Sequence, residues 1–311
     1  MKKITVMGAN AARQKTLRFE QFQPGGINRA AAMSEIPSGK GINFCRAVKT
    51  WGVCSAEVVQ FAGGENGNYL VAALEKENIP ALTVRCQAPL RCCVTCIDNS
   101  TRTTTEIIEP SGAASADECA EYLKLFAASL VDASGAAICG TLPDGTDPAL
   151  YLRAGRLAAE HSLPLLLDLY KNAEELFEVE NSMLKINRDE LGKLTSCGDV
   201  AAGISALFSR YPFAAIAITD GPGQAFASDG NILAVYDIPA LDEVVNPIGC
   251  GDTASAVFLS EFINGTPVIP AFQLALGAAS ANAETWNPAQ FNAGRGRELA
   301  AEIHVETVAL K

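Results

Sequence analysis

A glycine-rich turn, Asn246-Pro247-Ile248-Gly249-Cys250-Gly251-Asp252-Thr253, precedes an apolar helical segment at Ala254–Phe262. Gly249 and Gly251 permit positive φ and close approach of the backbone to a ligand. Residues 250–252 are then expected to present unpaired N–H groups at a helix start, where the helix dipole also favours an anion. The carboxylate of Asp252 would face whatever those amides hold. An anion site beside a base suits phosphoryl transfer, which needs charge neutralisation and a positioned hydroxyl.

Two other interpretations of this turn stay open at the level of sequence. Asp252 could simply cap a helix while the glycines turn the chain. The spacing Gly249-x-Gly251-x-x-Ala254 also fits the loose form of a dinucleotide fingerprint, which would indicate a dehydrogenase. That fingerprint normally opens the first βαβ unit of a chain, whereas this one lies near residue 250.

A second glycine-rich element is Ser38-Gly39-Lys40-Gly41-Ile42-Asn43, at the start of a helical segment. It differs from a Walker A motif because Gly41 follows the lysine and Ser34 stands where a glycine is required. Its glycines allow backbone contact with a ligand, Lys40 supplies a point charge, and Asn43 offers both a donor and an acceptor. An ordinary capped helix is the alternative.

Short apolar runs alternate with longer segments of helical period, a pattern typical of an α/β protein with a parallel sheet. Strands are predicted at Ile4–Met7, Glu57–Phe61, Ala136–Cys139, Leu165–Asp168, Met183–Ile186 and Ala214–Ile218. Helices are predicted at Gly41–Thr50, Gly67–Lys76, Ala116–Leu130 and Pro148–Glu160.

Two polar stretches, residues 12–38 and 89–110, break this pattern and lack helical periodicity. The second predicts a hairpin, with strands Arg91–Ile97 and Arg102–Ile108 joined at Asp98-Asn99-Ser100. We interpret both stretches as a small accessory sheet inserted into one α/β domain that spans residues 1–311.

The composition argues against several classes of protein. The 311 residues are 49% hydrophobic and 19% charged, enough to form a sizeable core, and the formal net charge is −11. An acidic chain is a poor general nucleic-acid binder, so no nucleic-acid partner is expected. No run of 18 apolar residues occurs, so no membrane partner is expected either.

Cysteine usage and the start of the chain favour a cytoplasmic protein. Ten cysteines are spread along the chain, which suits reduced thiols better than a disulfide framework. Cys93 and Cys96 form a CxxC, but no second pair or histidine cluster lies near it to complete a zinc site. The apolar run after Met1-Lys2-Lys3 is too short for a signal peptide and is predicted as the first strand.

The two glycine-rich elements, in this order and about 210 residues apart, resemble the signature regions of the ribokinase-like (PfkB-type) carbohydrate kinases. Cys139–Gly145, Lys185–Leu191 and Thr219–Gly221 resemble further strings of that family. The elements around Lys40 and Arg91 are most similar to its phosphosugar branch, the 1-phosphofructokinases and tagatose-6-phosphate kinases. The resemblance implies a three-layer α/β sandwich around a mostly parallel sheet, with a β-sheet lid formed by the two polar stretches.

The resemblance also implies the roles of residues around the transferred phosphoryl group. Asp252 would take the proton from the acceptor hydroxyl, and the amides of Gly249, Cys250 and Gly251 would hold the phosphoryl group. Asn187 and Glu190 would organise the phosphates of ATP and a Mg²⁺ ion through water, because Mg²⁺ tends to keep part of its hydration shell.

The remaining implied residues divide between nucleotide and sugar. Thr219 and Gly221 would line the nucleotide groove, and Asn282, in a helix predicted over Ala271–Ala283, would flank the adenine. The sugar phosphate and its hydroxyls would be bound by Gly39, Lys40, Asn43, Arg91 and the further candidate Arg29.

Two departures from the family pattern are visible. Gln14 stands where much of the family has an aspartate that grips two sugar hydroxyls, and an amide cannot offer a charged bidentate acceptor. Cys250 stands where alanine is common. A thiol at a helix N-terminus favours its thiolate form, so Cys250 is expected either to be reactive or to be a small buried space-filler.

Together these features predict an ATP-dependent sugar-phosphate kinase with Mg²⁺ as cofactor, and a lid-mediated homodimer is an expectation carried by the resemblance. Fructose 1-phosphate is the first expected acceptor, with tagatose 6-phosphate or fructose 6-phosphate second. The alternatives are a kinase for an unphosphorylated sugar or nucleoside, and a non-catalytic protein that binds sugar phosphates.

Overall fold

A computed structural model describes residues 1–310. Its strands in chain order are β1 Lys2–Met7, β2 Ala12–Phe19, β3 Ala32–Ser38, β4 Cys54–Ala62, β5 Ala81–Arg85, β6 Cys92–Asp98, β7 Thr103–Ile108, β8 Gly135–Cys139, β9 Leu165–Asp168, β10 Ser182–Asn187, β11 Ala215–Asp220, β12 Gln224–Ser228, β13 Ile232–Asp237 and β14 His304–Ala309. Its helices are α1 Lys40–Trp51, α2 Gly64–Glu77, α3 Ala116–Leu130, α4 Ala149–Glu160, α5 Arg188–Thr195, α6 Val200–Arg210, α7 Cys250–Ile263, α8 Val268–Ala283 and α9 Ala293–Glu302.

The larger sheet runs β14-β13-β12-β11-β10-β9-β8-β1-β4-β5 and is parallel from β11 to β5. Strands β8 and β9 are buried along their whole length, as expected where helices cover both faces of a parallel sheet. Successive side chains of β4 point to opposite faces of the sheet, because Val58 packs into one of two hydrophobic clusters and Val59 packs into the other. These two layers around one sheet confirm the predicted α/β sandwich.

The cluster on one face contains Phe44, Phe258 and Phe272 from α1, α7 and α8. The other contains Tyr122 and Phe126 from α3 together with residues of α4 and α6. All six predicted strands and the predicted helices are present, with ends that differ by up to four residues. The antiparallel edge strands β12–β14 were not predicted, since short strands in polar surroundings give a weak periodic signal.

A separate four-stranded sheet, which we call the lid sheet, has the order β3-β2-β6-β7. The predicted hairpin is confirmed, because β6 and β7 pair antiparallel from Cys93 opposite Ile108 to Asp98 opposite Thr103. The second polar stretch meets the first through parallel pairing of β2 with β6.

Strand order locates the place where a ligand can enter. From β1 the chain moves first to β4 and β5 on one side, and later to β8, β9 and β10 on the other. In an open parallel sheet, a crevice forms at the carboxyl ends of the strands where the order reverses. The ends of β1 and β8, followed by Asn10 and Gly140, therefore mark the expected site. Within the described residues no helix is both long and apolar enough to cross a bilayer.

Candidate active site

The amino end of α7 is the candidate anion site. Gly249 is the N-cap residue with φ +82°, and a Cβ atom there would lie 2.9 Å from Pro288 Cβ, so glycine is required by both conformation and space. The N–H groups of Gly251 and Asp252, in the first helical turn, have no intrahelical acceptor. The N–H groups of residues 250–252 were all predicted to be unpaired. For Cys250 this is wrong, because its N–H donates to the Pro247 carbonyl at 3.3 Å.

Asp252 lies directly beside these amides and is 8% exposed. Its Oδ2 accepts a hydrogen bond of 2.8 Å from Asn43 Nδ2, which joins the two glycine-rich elements of the sequence. Burial raises the pKa of Asp252 and nearby Asp168 raises it further, while Lys40 and the bond from Asn43 oppose the rise. A carboxylate with a raised pKa and an open oxygen has the properties of a general base.

A buried ion network lies under this carboxylate. Lys40 Nζ donates to Asp168 Oδ1 at 2.7 Å, Ser255 Oγ donates to Asp168 Oδ2 at 2.6 Å, and Lys185 Nζ lies 3.9 Å from the same Oδ2. Burial alone would raise the pKa of Asp168, but Lys185 and Lys40 lower it to about 2. The network keeps two ammonium groups beside Asp252 and the helix start.

The first of two cavities flanking this centre has a volume of about 350 Å³, and we call it the polar cavity because four charged side chains line it. It is lined by Gly39 and Lys40, by Arg91, which directly precedes β6, by Glu190, and by residues at the ends of β1, β8 and β9. Arg91 Nη2 donates to the Asn10 carbonyl at 3.1 Å, and its Nε is buried with no hydrogen-bond partner among the described residues. An unpartnered buried N–H at a cavity wall is suited to bind an oxygen-rich ligand.

The second cavity, about 420 Å³, has mainly apolar walls from residues 238–247, α7 and α8. Thr219 and Gly221, at the end of β11, line it as the prediction requires, and Gly251 joins its wall to the anion site. An apolar slot with few polar groups suits a flat aromatic ring such as a nucleobase. The anion site therefore lies between a polar cavity and an apolar one.

Asn187 and Glu190 form a reciprocal capping box at the start of α5. Asn187 Oδ1 accepts from Glu190 N–H at 2.9 Å, and Glu190 Oε2 accepts from Asn187 N–H at the same distance. Glu190 also lines the polar cavity, so its carboxylate has both a structural bond and an open side. Among the described residues no cluster of three or more histidine, cysteine, aspartate or glutamate side chains could hold a metal by itself.

Seven of the predicted site residues are not among those lining either cavity: Gln14, Arg29, Asn43, Asn187, Gly249, Asp252 and Asn282. Gln14 is 6% exposed and donates to Thr95 Oγ1 at 2.8 Å within the lid sheet. Arg29 is exposed on the segment between β2 and β3. Asn282 is fully buried and its amide bonds to Ile248 O, so the prediction that it flanks an adenine is wrong.

The two alternatives stated for Cys250 differ in the pKa expected for its thiol. Burial raises the pKa of Cys250 to about 11, and the bond from Asn282 offsets only part of that rise. Desolvation of the charged form outweighs the helix dipole here, which leaves the alternative of a small, partly buried space-filler.

Asp168 and Lys185 were missed at the level of sequence as parts of the centre. A signal for Asp168 was present, because an acidic residue ends the apolar strand β9 at the carboxyl edge where ligands bind. Tyr170 and Lys171, which also line the polar cavity, follow Asp168 directly in the chain.

The parallel sheet with helices on both faces, the helix start with two unpaired N–H groups and the buried carboxylate beside it are typical of phosphotransferases. The chain matches the pfkB family carbohydrate kinase description over residues 1–290 and belongs to that family.

Individual relatives agree with this placement. The chain is 27% identical over 277 residues to 1-phosphofructokinase of Bacillus subtilis (strain 168), covering 86% of this chain and 88% of the relative. It is 28% identical over 262 residues to tagatose-6-phosphate kinase of Staphylococcus epidermidis, covering 79% and 81%. Its fold is similar to that of phosphofructokinase-2 from Escherichia coli in complex with potassium, with a TM-score of 0.87 at 21% identity over 97% of this chain and 99% of that one.

Proposed function

We propose that the protein transfers the γ-phosphoryl group of ATP to a primary hydroxyl of a phosphorylated ketohexose. Fructose 1-phosphate is the first acceptor proposed, with tagatose 6-phosphate or fructose 6-phosphate second, in keeping with the names of the two sequence relatives. The observation that carries the proposal is the polar cavity beside Asp252, where Lys40, Arg91 and Lys171 meet a single carboxylate, that of Glu190. Such an excess of cations suits a ligand that bears its own phosphate.

In this proposal each part of the centre has one task. The carboxylate of Asp252 accepts the proton of the attacking hydroxyl, while Asn43 fixes its orientation through the 2.8 Å bond. The amides of Gly251 and Asp252 and the ammonium group of Lys40 neutralise charge on the transferring phosphoryl group. The apolar cavity holds the base of ATP, which aligns the phosphate chain with the acceptor across the amino end of α7.

Mg²⁺ fits the donors that are present, because a carboxylate and an amide oxygen are the ligands it accepts and it retains several waters. Glu190 would hold it through water, with Asn187 orienting that carboxylate by the capping box. Bound there, the ion would neutralise charge on the phosphates of ATP.

The nature of the acceptor can be tested at Arg91. Arg91→Gln is expected to raise KM for phosphorylated acceptors by about 10-fold or more with kcat nearly unchanged, because a charge-assisted contact present in both ground and transition states is lost. The measurement is ADP release over a panel of phosphorylated and free sugars and nucleosides.

Arg102→Gln, at the far turn of the same lid hairpin, is the matched control and should leave KM unchanged, since Arg102 is exposed there. If Arg91→Gln does not change KM for the preferred acceptor, that acceptor is an unphosphorylated sugar or nucleoside. Absence of ADP release with every acceptor, together with intact sugar-phosphate binding, would indicate the non-catalytic alternative.

We also propose that two copies of the chain associate through the lid sheet. Four large apolar side chains of the two lid segments are exposed: Ile27 (87%), Met33 (61%), Ile107 (54%) and Ile108 (57%). Met33 and Ile107 lie on β3 and β7 of the lid sheet, Ile27 lies on the segment between β2 and β3, and Ile108 also lines the polar cavity. Exposed apolar side chains such as Met33 and Ile107 suit a protein interface.

The double variant Met33→Glu with Ile107→Glu is expected to sediment as a monomer where the wild type sediments as a dimer, because each charge would have to be buried in the interface. Val131→Glu is the control, since Val131 is 76% exposed at the end of α3, outside the two lid segments. A wild type that is monomeric at micromolar concentration would contradict the proposal.

A further inference from the structure

The segment that forms the anion site is tied to the turn after α8 by two buried amide side chains. Asn282, fully buried near the end of α8, donates from Nδ2 to Ile248 O at 3.0 Å and lies 3.2 Å from Cys250 Sγ. Its Oδ1 accepts from the Ala289 N–H group. Asn246, 1% exposed, donates to the Trp286 carbonyl at 2.9 Å and accepts from Ile248 N–H at 3.0 Å.

Both segments of this contact contain a residue in the left-handed region. Gly249 has φ +82°, and a Cβ atom on it would lie 2.9 Å from Pro288 Cβ, while the fully buried Ala289 has φ +61° although it carries a side chain. A non-glycine residue in the left-handed region is strained and persists only where its surroundings fix it. The amide of Asn282 contacts both segments, because its donor bonds the first and its acceptor bonds the second.

We propose that Asn282 is a positioning residue for phosphoryl transfer, which holds the Gly249–Asp252 turn in its anion-binding conformation by bridging Ile248 to Ala289. This inference rests on the function proposed above for that turn. Asn282 touches neither cavity, so it acts through the loop and not on a substrate.

The expected cost of losing the bridge follows from the role of the amides. Donors aimed at a developing charge are effective only when they are fixed in place before the reaction, and losing one such donor costs about 10²–10³-fold in kcat. Loosening two donors without removing them should cost less, about 10-fold to 10²-fold. Binding of ADP, which lacks the transferred phosphoryl group, should change little.

A merely structural role for Asn282 is the competing explanation, and the chain offers a matched control. Asn264, at the opposite end of α7, donates to Cys54 Sγ at 3.0 Å and to Ser260 O at 2.8 Å, so it makes the same kinds of bond. Asn264 is the exposed C-cap residue of α7, so replacing it disturbs amide bonds of the same helix without touching the anion site.

The experiment compares Asn282→Asp, Asn282→Leu and Asn264→Leu. Asn282→Asp keeps the size of the side chain and the acceptor for Ala289 N–H but loses the donor to Ile248 O. Three quantities are measured: kcat and KM with ATP and acceptor, the dissociation constant for ADP, and amide hydrogen exchange of the peptide spanning residues 247–253.

Both Asn282 variants are expected to lower kcat by 10-fold to 10²-fold, to keep ADP affinity within about threefold, and to speed exchange in the 247–253 peptide. Asn264→Leu should lower the melting temperature with kcat and that exchange unchanged. Normal kcat in Asn282→Asp, or an equal loss of kcat in Asn264→Leu, would overturn the inference. Should the wild type phosphorylate no acceptor, the proposed function fails, and unchanged exchange in the Asn282 variants would then separately refute the bridging role.

Discussion

Asp252→Asn is expected to lower kcat by at least about 10²-fold while ATP binding stays nearly intact, because the substitution removes a proton acceptor and preserves the shape of the side chain. An asparagine at this position still packs against Asn43 and the first turn of α7, so the anion-binding amides should remain in place. The loss should therefore fall on the chemical step. Steady-state ADP release gives kcat, and equilibrium dialysis gives the affinity for ATP.

The pH dependence of the wild type supplies a second test of the same role. A general base works only when ionised, so kcat should fall as pH decreases through the raised pKa of Asp252. Asp132→Asn is the control for the Asp252→Asn substitution. Asp132 pairs with Lys3 at the opposite end of β1, so the loss of the Asp132 carboxylate should not affect kcat. A turnover number near normal in Asp252→Asn would refute the assignment of the base.

The core of the fold was predictable because parallel strands that are buried on both faces have continuous apolar sequences, as in Leu165–Asp168. The two glycine-rich elements were predictable for a different reason, since a glycine at φ +82° has few substitutes. What local patterns could not give was contact between distant residues. The 2.7 Å pair of Lys40 and Asp168 joins positions 128 residues apart, and neither local sequence indicates the other residue as its partner.

Burial accounts for the position of Asn282 and for the chemistry of Cys250. Asn282 lies where a ligand-facing residue was expected, but neighbouring atoms take up its polar groups. A motif specifies which residue types are near a site along the chain and does not specify which side of the backbone each one faces. Desolvation then decides the chemistry, as the raised pKa of the Cys250 thiol illustrates.

Asp168→Ala is expected to lower the free energy of unfolding by about 3–5 kcal/mol, because removing one partner of a buried ion pair leaves the other charge uncompensated. Here the carboxylate is 2% exposed and faces two ammonium groups, those of Lys40 and Lys185. Urea unfolding at neutral pH measures the loss. Ser255→Ala removes only one hydrogen bond to the same carboxylate and should cost about 1 kcal/mol.

The same carboxylate makes the stability of the wild type depend on pH with a definite sign. Its pKa is lowered from 3.8 to about 2 in the folded protein, so its contribution is present above about pH 4 and is lost as pH falls towards 2. That difference corresponds to roughly 2 kcal/mol. The difference in unfolding free energy between the wild type and Asp168→Ala should therefore become smaller as pH falls from about 4 towards 2.

Catalysis should fall together with stability in Asp168→Ala, and the two losses can be separated. Without Asp168, Lys40 loses the acceptor that fixes its Nζ beside the helix start, and Asp252 loses a neighbouring negative charge that raises its pKa. Both changes weaken the centre, so kcat measured well below the melting temperature should drop by about 10-fold or more. Equal kcat in folded Asp168→Ala and wild type would show that the network only stabilises the fold and that Lys40 reaches the phosphoryl group without it.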